Sequence, residues 1–236
     1  MTNVLDWLLD SDPSIRWQAM RDLLDESPAT VARERSRVAL EGWGARLLDL
    51  QGPDGHWGGA AFVPRAWIST LDTLQLLRNL GVDPASDRVR SAIGQVREQC
   101  TWGKEWGDSP FFEGEVEPCI NGRVLAMGAY FGETSDRLLG RLLREQLSDG
   151  GWNCDAPPSQ RSSFHSTICV LEGLLEYETA NGPRPDVTLA RLRGQDYFLE
   201  RRLFRSRSTG QIISHDRKTR SAAAWSQFSF PTRWHY

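Results

Sequence analysis

Apolar residues near the start of the chain recur at the three- and four-residue spacing that is typical of α-helices. Leu5 and Leu8 belong to the first such stripe. Asp12 is a favourable N-cap residue and Pro13 suits the first turn of a helix, so a second helix is expected to begin here. The pattern therefore predicts two short helices within residues 3–25.

A longer pattern repeats through the rest of the chain. Each unit consists of an amphipathic segment with helical periodicity, a loop rich in Gln, Gly and Trp, and a more apolar helical segment. The loops begin at Gln51, Gln99 and Gln146, at intervals of 48 and 47 residues. A fixed period near fifty residues is typical of helical repeat arrays, so we predict an all-α fold built from repeated helix pairs.

The predicted helices flank the loops in a regular order. When the helices that follow the loops are aligned by eye, Thr70 falls beside Ser166. The helices before the loops are predicted over 28–50, 86–99 and 135–147, and those after the loops over 66–81, 118–132 and 163–178.

A fourth unit is incomplete. Its first helix is predicted over residues 186–203, and its loop at 206–210 lacks the tryptophan. Residues 229–236 resemble the opening of a second helix that has no body. Because each unit of a repeat array is stabilised by covering its neighbour, two explanations stay open. Either the chain is truncated, or a partner, such as a second copy in a homo-oligomer, covers this end.

Composition narrows the classes of partner and location. The formal net charge is −3 and nothing in the sequence indicates a basic face, so no nucleic-acid partner is expected. The chain has no basic segment followed by an apolar run at its start and no apolar stretch long enough to span a membrane, which makes the cytoplasm the expected location. The basic run at 200–207 leaves contact with a membrane surface as an open alternative, against which the mean hydropathy of −0.47 argues.

The loops at 51–59 and 146–152 resemble the QW motif of squalene and hopene cyclases and the related repeats of protein prenyltransferase β subunits. Both loops contain Gln, Asp-Gly or Asp-Gly-Gly, and Trp in that order, and the loop at 99–107 is a degenerate copy. The resemblance covers roughly residues 30–236. It implies an α/α-toroid or a partial toroid, in which the Gln and Trp of each loop tie neighbouring outer helices together.

Residues 12–16 are similar to the start of the second helix of a HEAT repeat. The expected organisation is therefore a HEAT-like N-terminal helix pair at 1–27, packed on a toroid-like repeat domain at 28–236 whose fourth repeat is incomplete. A protein-interaction array of the HEAT type is one alternative to a toroid.

The chain departs from the terpene cyclases in the residues that would supply acid catalysis. Class II terpene cyclases protonate an alkene or an epoxide with a DxDD motif, and this chain contains no such motif, so that chemistry is not expected. Asp72 stands alone on a predicted central helix, and Glu117 closes an alternating run that includes Glu113 and Glu115. Asp72 and Glu117 are the remaining candidate catalytic carboxylates. The glutamate run is expected to be a solvated loop, and the alternative is a carboxylate donor to a metal or a general base near the rim.

Two cysteines and a histidine form a candidate zinc site. If outer and inner helices alternate, the N-termini of the inner helices share one rim, and Cys119, Cys154 and His165 lie near these predicted N-termini. Two thiolates and an imidazole suit zinc and leave one coordination position open for a substrate. The resemblance implies zinc in part, because prenyltransferases bind it through Asp, Cys and His and toroidal lanthipeptide cyclases through Cys, Cys and His. In the alternative interpretation the cysteines are buried packing residues and His165 caps a helix.

The same rim is expected to hold an organic ligand. Guanidinium groups near helix N-termini suit an anion, and aromatic side chains suit a prenyl chain or a carbocation. We therefore expect a terpene cyclase- or prenyltransferase-like protein that binds a hydrophobic, prenylated or other apolar small molecule in a central cavity, with zinc at one rim. The alternative is a non-catalytic ligand-binding or protein-interaction scaffold. The candidate ligand-binding residues are Arg65, Trp67, Arg123, Phe164 and Trp234.

Overall fold

The computed structural model describes residues 3–63, 68–104 and 107–212. Within these ranges the regular secondary structure is helical and no β-strand occurs. The predicted all-α fold is therefore confirmed. No helix in the described ranges is both long enough and apolar enough to cross a lipid bilayer.

The helices follow the predicted order, and most of their ends agree with the predicted ends to within four residues. The exception is the segment predicted as one helix over 28–50. In chain order the helices are α1 (Val4–Leu9), α2 (Pro13–Asp22), α3 (Pro28–Ser36), α4 (Gly42–Asp49), α5 (Thr70–Leu80), α6 (Asp87–Gln99), α7 (Pro118–Phe131), α8 (Asp136–Arg144), α9 (Phe164–Asn181) and α10 (Pro185–Leu199).

The predicted single helix is broken into α3 and α4 by a 3₁₀ turn at Arg37–Ala39. Gly42 opens α4 with a φ of +70°, and an added Cβ there would lie 2.1 Å from Asp12 Oδ2. The Asp12 carboxylate accepts hydrogen bonds from the backbone N–H groups of Ser14 at 2.9 Å and Trp43 at 2.7 Å. The prediction of one continuous helix was wrong because the chain starts a new helix at Gly42, where Asp12 accepts a hydrogen bond from the backbone as it does at the start of α2.

Contacts within the chain define two compact units, Met1–Phe111 and Phe112–Tyr236. In the first unit, α2 packs on α1 and α3, and α4 packs on α5 and α6. In the second unit, α9 packs chiefly on α7, while α10 packs on α9 and α8. The predicted division into a helix pair at 1–27 and a repeat domain at 28–236 stays a prediction.

Trp17 lies at the centre of the packing around α2. Its side chain is buried, and its ring lies so close to Gly81 that an added Cβ there would be 2.2 Å from a ring carbon. The indole N–H donates to the carbonyl oxygen of Leu80 at 2.9 Å. Trp17 therefore ties the N-terminal helix pair to the end of α5, with an apolar ring inside and its one polar group paired.

Two glycines allow α7 and α9 to approach each other at backbone distance. An added Cβ on Gly122 would lie 2.4 Å from the carbonyl oxygen of Cys169, and one on Gly173 would lie 2.4 Å from the carbonyl oxygen of Gly122. No side chain fits at either position, so the two helix backbones are in direct contact. This contact forms the centre of the second unit.

The first and third Gln/Trp loops tie helices together in the same way. The Gln51 side-chain amide donates to the carbonyl oxygens of Gly55 in its own loop and Ala92 on α6, both at 2.9 Å. The Gln146 amide donates at 2.7 Å to the loop carbonyl of Gly150 and to Ala190 on α10. In both loops the glutamine therefore joins its own loop to the second helix that follows it, α6 for Gln51 and α10 for Gln146.

The tryptophans of these loops bond to the helix that precedes each loop. Trp57 and Trp152 are buried, and their indole N–H groups donate at 2.7 Å to the carbonyl oxygens of Leu47 on α4 and Leu142 on α8. Each indole therefore bonds a carbonyl group in the last turn of the helix, where the partners four residues further along begin to run out.

A threonine anchors each loop to the helix that follows. The backbone N–H of the loop tryptophan donates to Oγ1 of Thr70 in the first loop, at 3.2 Å, and to Oγ1 of Thr167 in the third, at 3.0 Å. Thr70 therefore corresponds to Thr167, and the alignment by eye, which placed it beside Ser166, was wrong by one residue. The hydrogen bond to the threonine hydroxyl, rather than the pattern of apolar residues, shows which residues of α5 and α9 correspond.

The middle loop closes on itself. Gln99 is exposed at the end of α6. Trp102 is buried, stacks on Phe111 with ring centroids 5.3 Å apart, and donates its indole N–H to the Phe111 carbonyl oxygen at 2.9 Å. The degenerate copy therefore keeps a buried tryptophan but bonds it to Phe111, in the same connection between α6 and α7, and not to the preceding helix.

Candidate metal and ligand site

Three ligand-capable side chains converge where α7 begins and the loop before α9 passes. The sulfur atoms of Cys119, the second residue of α7, and Cys154 lie 3.0 Å apart. The Cys119 sulfur is also 3.6 Å from Oε2 of Glu117. The carboxylate oxygen and the two sulfurs all lie within 4.8 Å of one another. This cluster, the Glu117–Cys119–Cys154 group, could hold a metal ion.

The backbone before α7 is fixed by a buried amide. Asn121 is fully buried, and its side chain accepts a hydrogen bond from the Glu115 N–H at 2.8 Å and donates to the Glu115 carbonyl oxygen at 3.0 Å. Arg141 on α8 donates to the carbonyl oxygens of Glu115 and, at 2.8 Å, Val116. These bonds hold the segment that ends at Glu117.

The Glu115 carboxylate closes the same turn from inside the protein. It is 2% exposed and accepts hydrogen bonds from the backbone N–H groups of Glu117 at 2.7 Å and of Val116. Burial raises the pKa of Glu115 to about 7, although the two N–H donors favour the ionised form. Glu115 thus supports the backbone of Glu117 and is not part of the cluster itself.

Serine hydroxyls connect the cluster to the start of α9. Ser163 is the N-cap residue of α9, and its hydroxyl accepts from the Ser166 N–H at 3.0 Å and lies 2.9 Å from the Ser166 hydroxyl. The Ser166 oxygen in turn accepts from the Cys154 N–H at 3.3 Å and lies 3.1 Å from the Cys154 sulfur. The capping of α9 therefore also positions Cys154.

The close contact of the two thiols shifts the pKa of Cys119 and the pKa of Cys154 in opposite directions. Contact with Cys119 lowers the pKa of Cys154, against the effect of its partial burial, and the Ser166 hydroxyl adds to the lowering. The pKa of Cys119 is raised by the same contact and by burial. Cys154 is therefore the more readily ionised of the two thiols.

His165 is the second residue of α9 and is half-buried. Burial, followed by the nearby charge of Arg123, lowers its pKa, which favours the neutral imidazole. Among the residues that the structure describes, the metal-capable group consists of Cys119 and Cys154 with Glu117 and does not include His165. The two cysteines therefore come together as the sequence analysis expected, whereas His165 as a metal ligand stays a prediction.

A cavity of about 670 Å³ opens beside the N-terminus of α9. Phe164, Tyr197 and Phe204 contribute aromatic surface, and the hydroxyl of Tyr197 donates to the Ser162 carbonyl oxygen at 2.9 Å. The Arg201 guanidinium lies over the Tyr197 ring at 3.8 Å from its centroid. The other lining residues are Asp149, Arg161, Ser163, His165, Arg205, Ser206, Arg207 and Ser208, so cationic groups outnumber the acidic one.

The cavity and the Glu117–Cys119–Cys154 group adjoin the same helix start. Ser163 and His165 line the cavity, and the hydroxyl of Ser163 contacts that of Ser166, which contacts the Cys154 sulfur. One short hydrogen-bonded path thus leads from the cavity wall to the cluster. This path lies within the second unit.

The remaining candidate residues have separate positions. Phe164 is the first residue of α9 and lines the cavity, and Arg123 is half-buried on α7. Asp72 lies on α5 in the first unit, where its carboxylate accepts a hydrogen bond from the hydroxyl of the N-cap residue Ser69 at 2.7 Å. Arg65, Trp67 and Trp234 lie outside the described residues.

Comparison with known proteins identifies no relative. No family model matches the chain, and no curated protein or solved structure matches it significantly.

Proposed function

We propose that this protein is a zinc-binding helical-repeat protein, similar in architecture to terpene cyclases and protein prenyltransferases, that acts on a hydrophobic molecule bound beside α9. The observation that carries the proposal is the convergence of Glu117, Cys119 and Cys154 within 4.8 Å. Two sulfurs and a carboxylate oxygen are donors that zinc accepts, and three protein ligands leave a fourth position for water or substrate.

The chemistry of the donors favours zinc over magnesium or calcium. Those two cations prefer oxygen ligands and larger coordination numbers, whereas thiolates favour zinc. The easier ionisation of Cys154 fits this role, because a cysteine must lose its proton to bind a metal. When bound, zinc would supply a Lewis acid that activates a water molecule or a thiol in the open position.

The residues around the cluster have distinct roles in this proposal. Asn121 and Arg141 fix the backbone that presents Glu117, and Ser166 positions Cys154. His165 lies on the cavity wall and its lowered pKa favours the neutral imidazole, which supports a role in accepting a proton from a bound substrate. Its role as a further metal ligand stays a prediction.

The cavity beside α9 is the proposed substrate site. Its aromatic residues suit an apolar body, and Arg161, Arg205 and Arg207 suit an acidic group on the same molecule. A hydrophobic molecule that carries a carboxylate or phosphate fits both parts of this lining. Phe164 belongs to the aromatic part, as the sequence analysis expected.

The arrangement of the helix pairs in a toroid or partial toroid is part of the proposal. Its support is the matching set of hydrogen bonds at the first and third loops, where Gln51 and Gln146 each reach the helix after next. Repetition of one connection in both units is what a regular array requires.

A non-catalytic ligand-binding protein is the second candidate function. The cavity favours it, because an aromatic and cationic lining binds an amphipathic anion without any metal. The two candidates differ in one property, since only the first requires zinc.

Metal analysis of the purified full-length protein tests the proposal. Protein from zinc-supplemented culture, purified without chelator, is expected to contain about one zinc per chain, and Cys119→Ser and Cys154→Ser are expected to lose it. Cys100→Ser is the matched control, because Cys100 lies in the first unit, outside the cluster. Zinc-free wild-type protein, or full zinc in both cluster variants, would reject the first candidate in favour of the second.

A further inference from the structure

We propose that Cys119 and Cys154 form a reversible disulfide, so that the Glu117–Cys119–Cys154 group is also a site of oxidative modification. The inference that the disulfide forms depends only on the distance between the two thiols and their positions in the fold. Its consequence for a metal rests on the proposed function, because a sulfur bound in a disulfide no longer serves as a thiolate ligand to zinc.

The distance between the sulfurs is the first support. It is 3.0 Å, which is shorter than the separation of about 3.8 Å that two thiolates adopt around zinc with Zn–S bonds of about 2.3 Å. It is also about 1 Å longer than a disulfide bond of about 2.05 Å. The pair therefore lies between its two bonded states, and a shift of about 1 Å in either direction reaches one of them.

The position of each cysteine in the fold is the second support. Cys119 lies in the first turn of α7 and is only 5% exposed, so its place is set by the helix. Cys154 is half-buried and lies in the loop between α8 and α9, outside regular secondary structure. An oxidant can reach Cys154 first, and the loop can carry its sulfur towards the buried partner.

The other cysteines are poorly placed for the same reaction. Cys100 lies in the first unit and is 1% exposed, and Cys169 is 2% exposed on α9. Burial raises the pKa of each to about 12, which keeps both protonated and unreactive. Oxidation is therefore expected to select the Cys119–Cys154 pair.

The reaction balances with a hydroperoxide as oxidant. The Cys154 sulfur attacks the peroxide O–O bond, which gives the sulfenic acid of Cys154 and one molecule of water when the oxidant is hydrogen peroxide. The Cys119 thiol then forms the S–S bond as the S–O bond breaks, and a second water leaves. The two thiols lose two electrons in total and the peroxide gains them; a dithiol reductant reverses the change by thiol–disulfide exchange.

Peptide mapping of full-length protein after oxidation tests this inference. Metal-free protein and protein loaded with zinc are treated with hydrogen peroxide, digested without reductant and analysed by mass spectrometry, while a chromogenic chelator records released zinc. We expect a peptide pair joined through Cys119 and Cys154 that disappears with dithiothreitol. Cys154→Ser should lack the crosslink, whereas Cys100→Ser should retain it. Bound zinc should slow crosslinking by about tenfold or more, and zinc release should parallel the crosslink.

The outcomes separate this inference from the proposed function. A Cys119–Cys154 crosslink that forms equally fast with and without zinc supports the disulfide and counts against zinc at this cluster. Oxidation of metal-free protein to sulfinic or sulfonic acids without the crosslink, or a crosslink through Cys169, would overturn the disulfide and leave the zinc result to stand on the metal analysis.

Discussion

Asn121 fixes the backbone just before Glu117. It is fully buried, and its amide pairs with both the N–H and the carbonyl group of Glu115, two residues before Glu117. Gly114 provides the room, because an added Cβ there would lie 2.3 Å from Asn121 Oδ1. The carboxylate of the cluster is thus aimed by a residue that binds no ligand itself.

Replacement of Asn121 by leucine should therefore cost stability. The change leaves the Glu115 N–H buried without its acceptor, and the expected loss is about 1–3 kcal/mol in the free energy of unfolding, measured by urea denaturation. The control is Asn181→Ala, because Asn181 is exposed at the end of α9 and its loss should change stability by less than about 0.5 kcal/mol. Equal effects of the two changes would contradict the role of Asn121.

The sequence predicted part of the cluster at this scale. Cys119 and Cys154 were expected together because both lie at predicted starts of inner helices. The run of alternating glutamates that ends at Glu117 predicts a solvated loop first, and a metal donor or a general base as the alternative. The backbone before Glu117 is held by Asn121, which accepts from the Glu115 N–H, and by Arg141 on α8, which donates to the Val116 carbonyl oxygen. No hydrophobic periodicity encodes this pairing.

At the scale of helices, the contact between α7 and α9 organises the second unit. Gly122 and Gly173 face each other's helix so closely that carbonyl oxygens occupy the space of a side chain. Cys119 lies one turn before Gly122 on α7, so the helix contact also sets the distance of its sulfur from the start of α9. Helical periodicity predicted both helices, but it could not show which faces meet.

Gly122→Ala is expected to destabilise the protein, although alanine favours helices. The new Cβ would meet the Cys169 carbonyl oxygen at 2.4 Å, and forcing the helices apart should cost about 1–3 kcal/mol. The matched change Gly140→Ala lies on α8, where only the flexible end of Arg144 is near, and should stabilise by up to about 1 kcal/mol. Chemical denaturation of both variants measures these changes in the free energy of unfolding. A stabilised Gly122→Ala variant would show that the helices are less tightly packed.

The loop glutamines permit a comparison between copies of the same motif. Gln51→Ala and Gln146→Ala each remove a side chain that donates to two carbonyl oxygens, so each should lower stability by about 1–3 kcal/mol. Gln99→Ala should change it by less than about 0.5 kcal/mol, because Gln99 is exposed. Thermal or urea unfolding of the three variants measures this difference. Similar losses in all three would mean that the middle loop is bonded like the others.

At the scale of the whole chain, each compact unit contains one complete Gln/Trp loop. The sequence predicted this repetition because the motif residues recur at a fixed spacing. It did not predict the break between α3 and α4 or the boundary near Phe111, since both depend on contacts between segments far apart in the chain. The cavity and the Glu117–Cys119–Cys154 group both belong to the second unit, which therefore contains the proposed site.

X-ray absorption at the zinc edge, on full-length protein loaded with one equivalent of zinc, tests the central claim most directly. We expect two sulfur ligands at about 2.3 Å and oxygen ligands at about 2.0 Å, with no imidazole scattering unless His165 joins the site. In Glu117→Gln the sulfur shell should remain while zinc affinity falls. A zinc environment of oxygen and nitrogen alone, with no sulfur shell, would contradict a metal centre at Cys119 and Cys154.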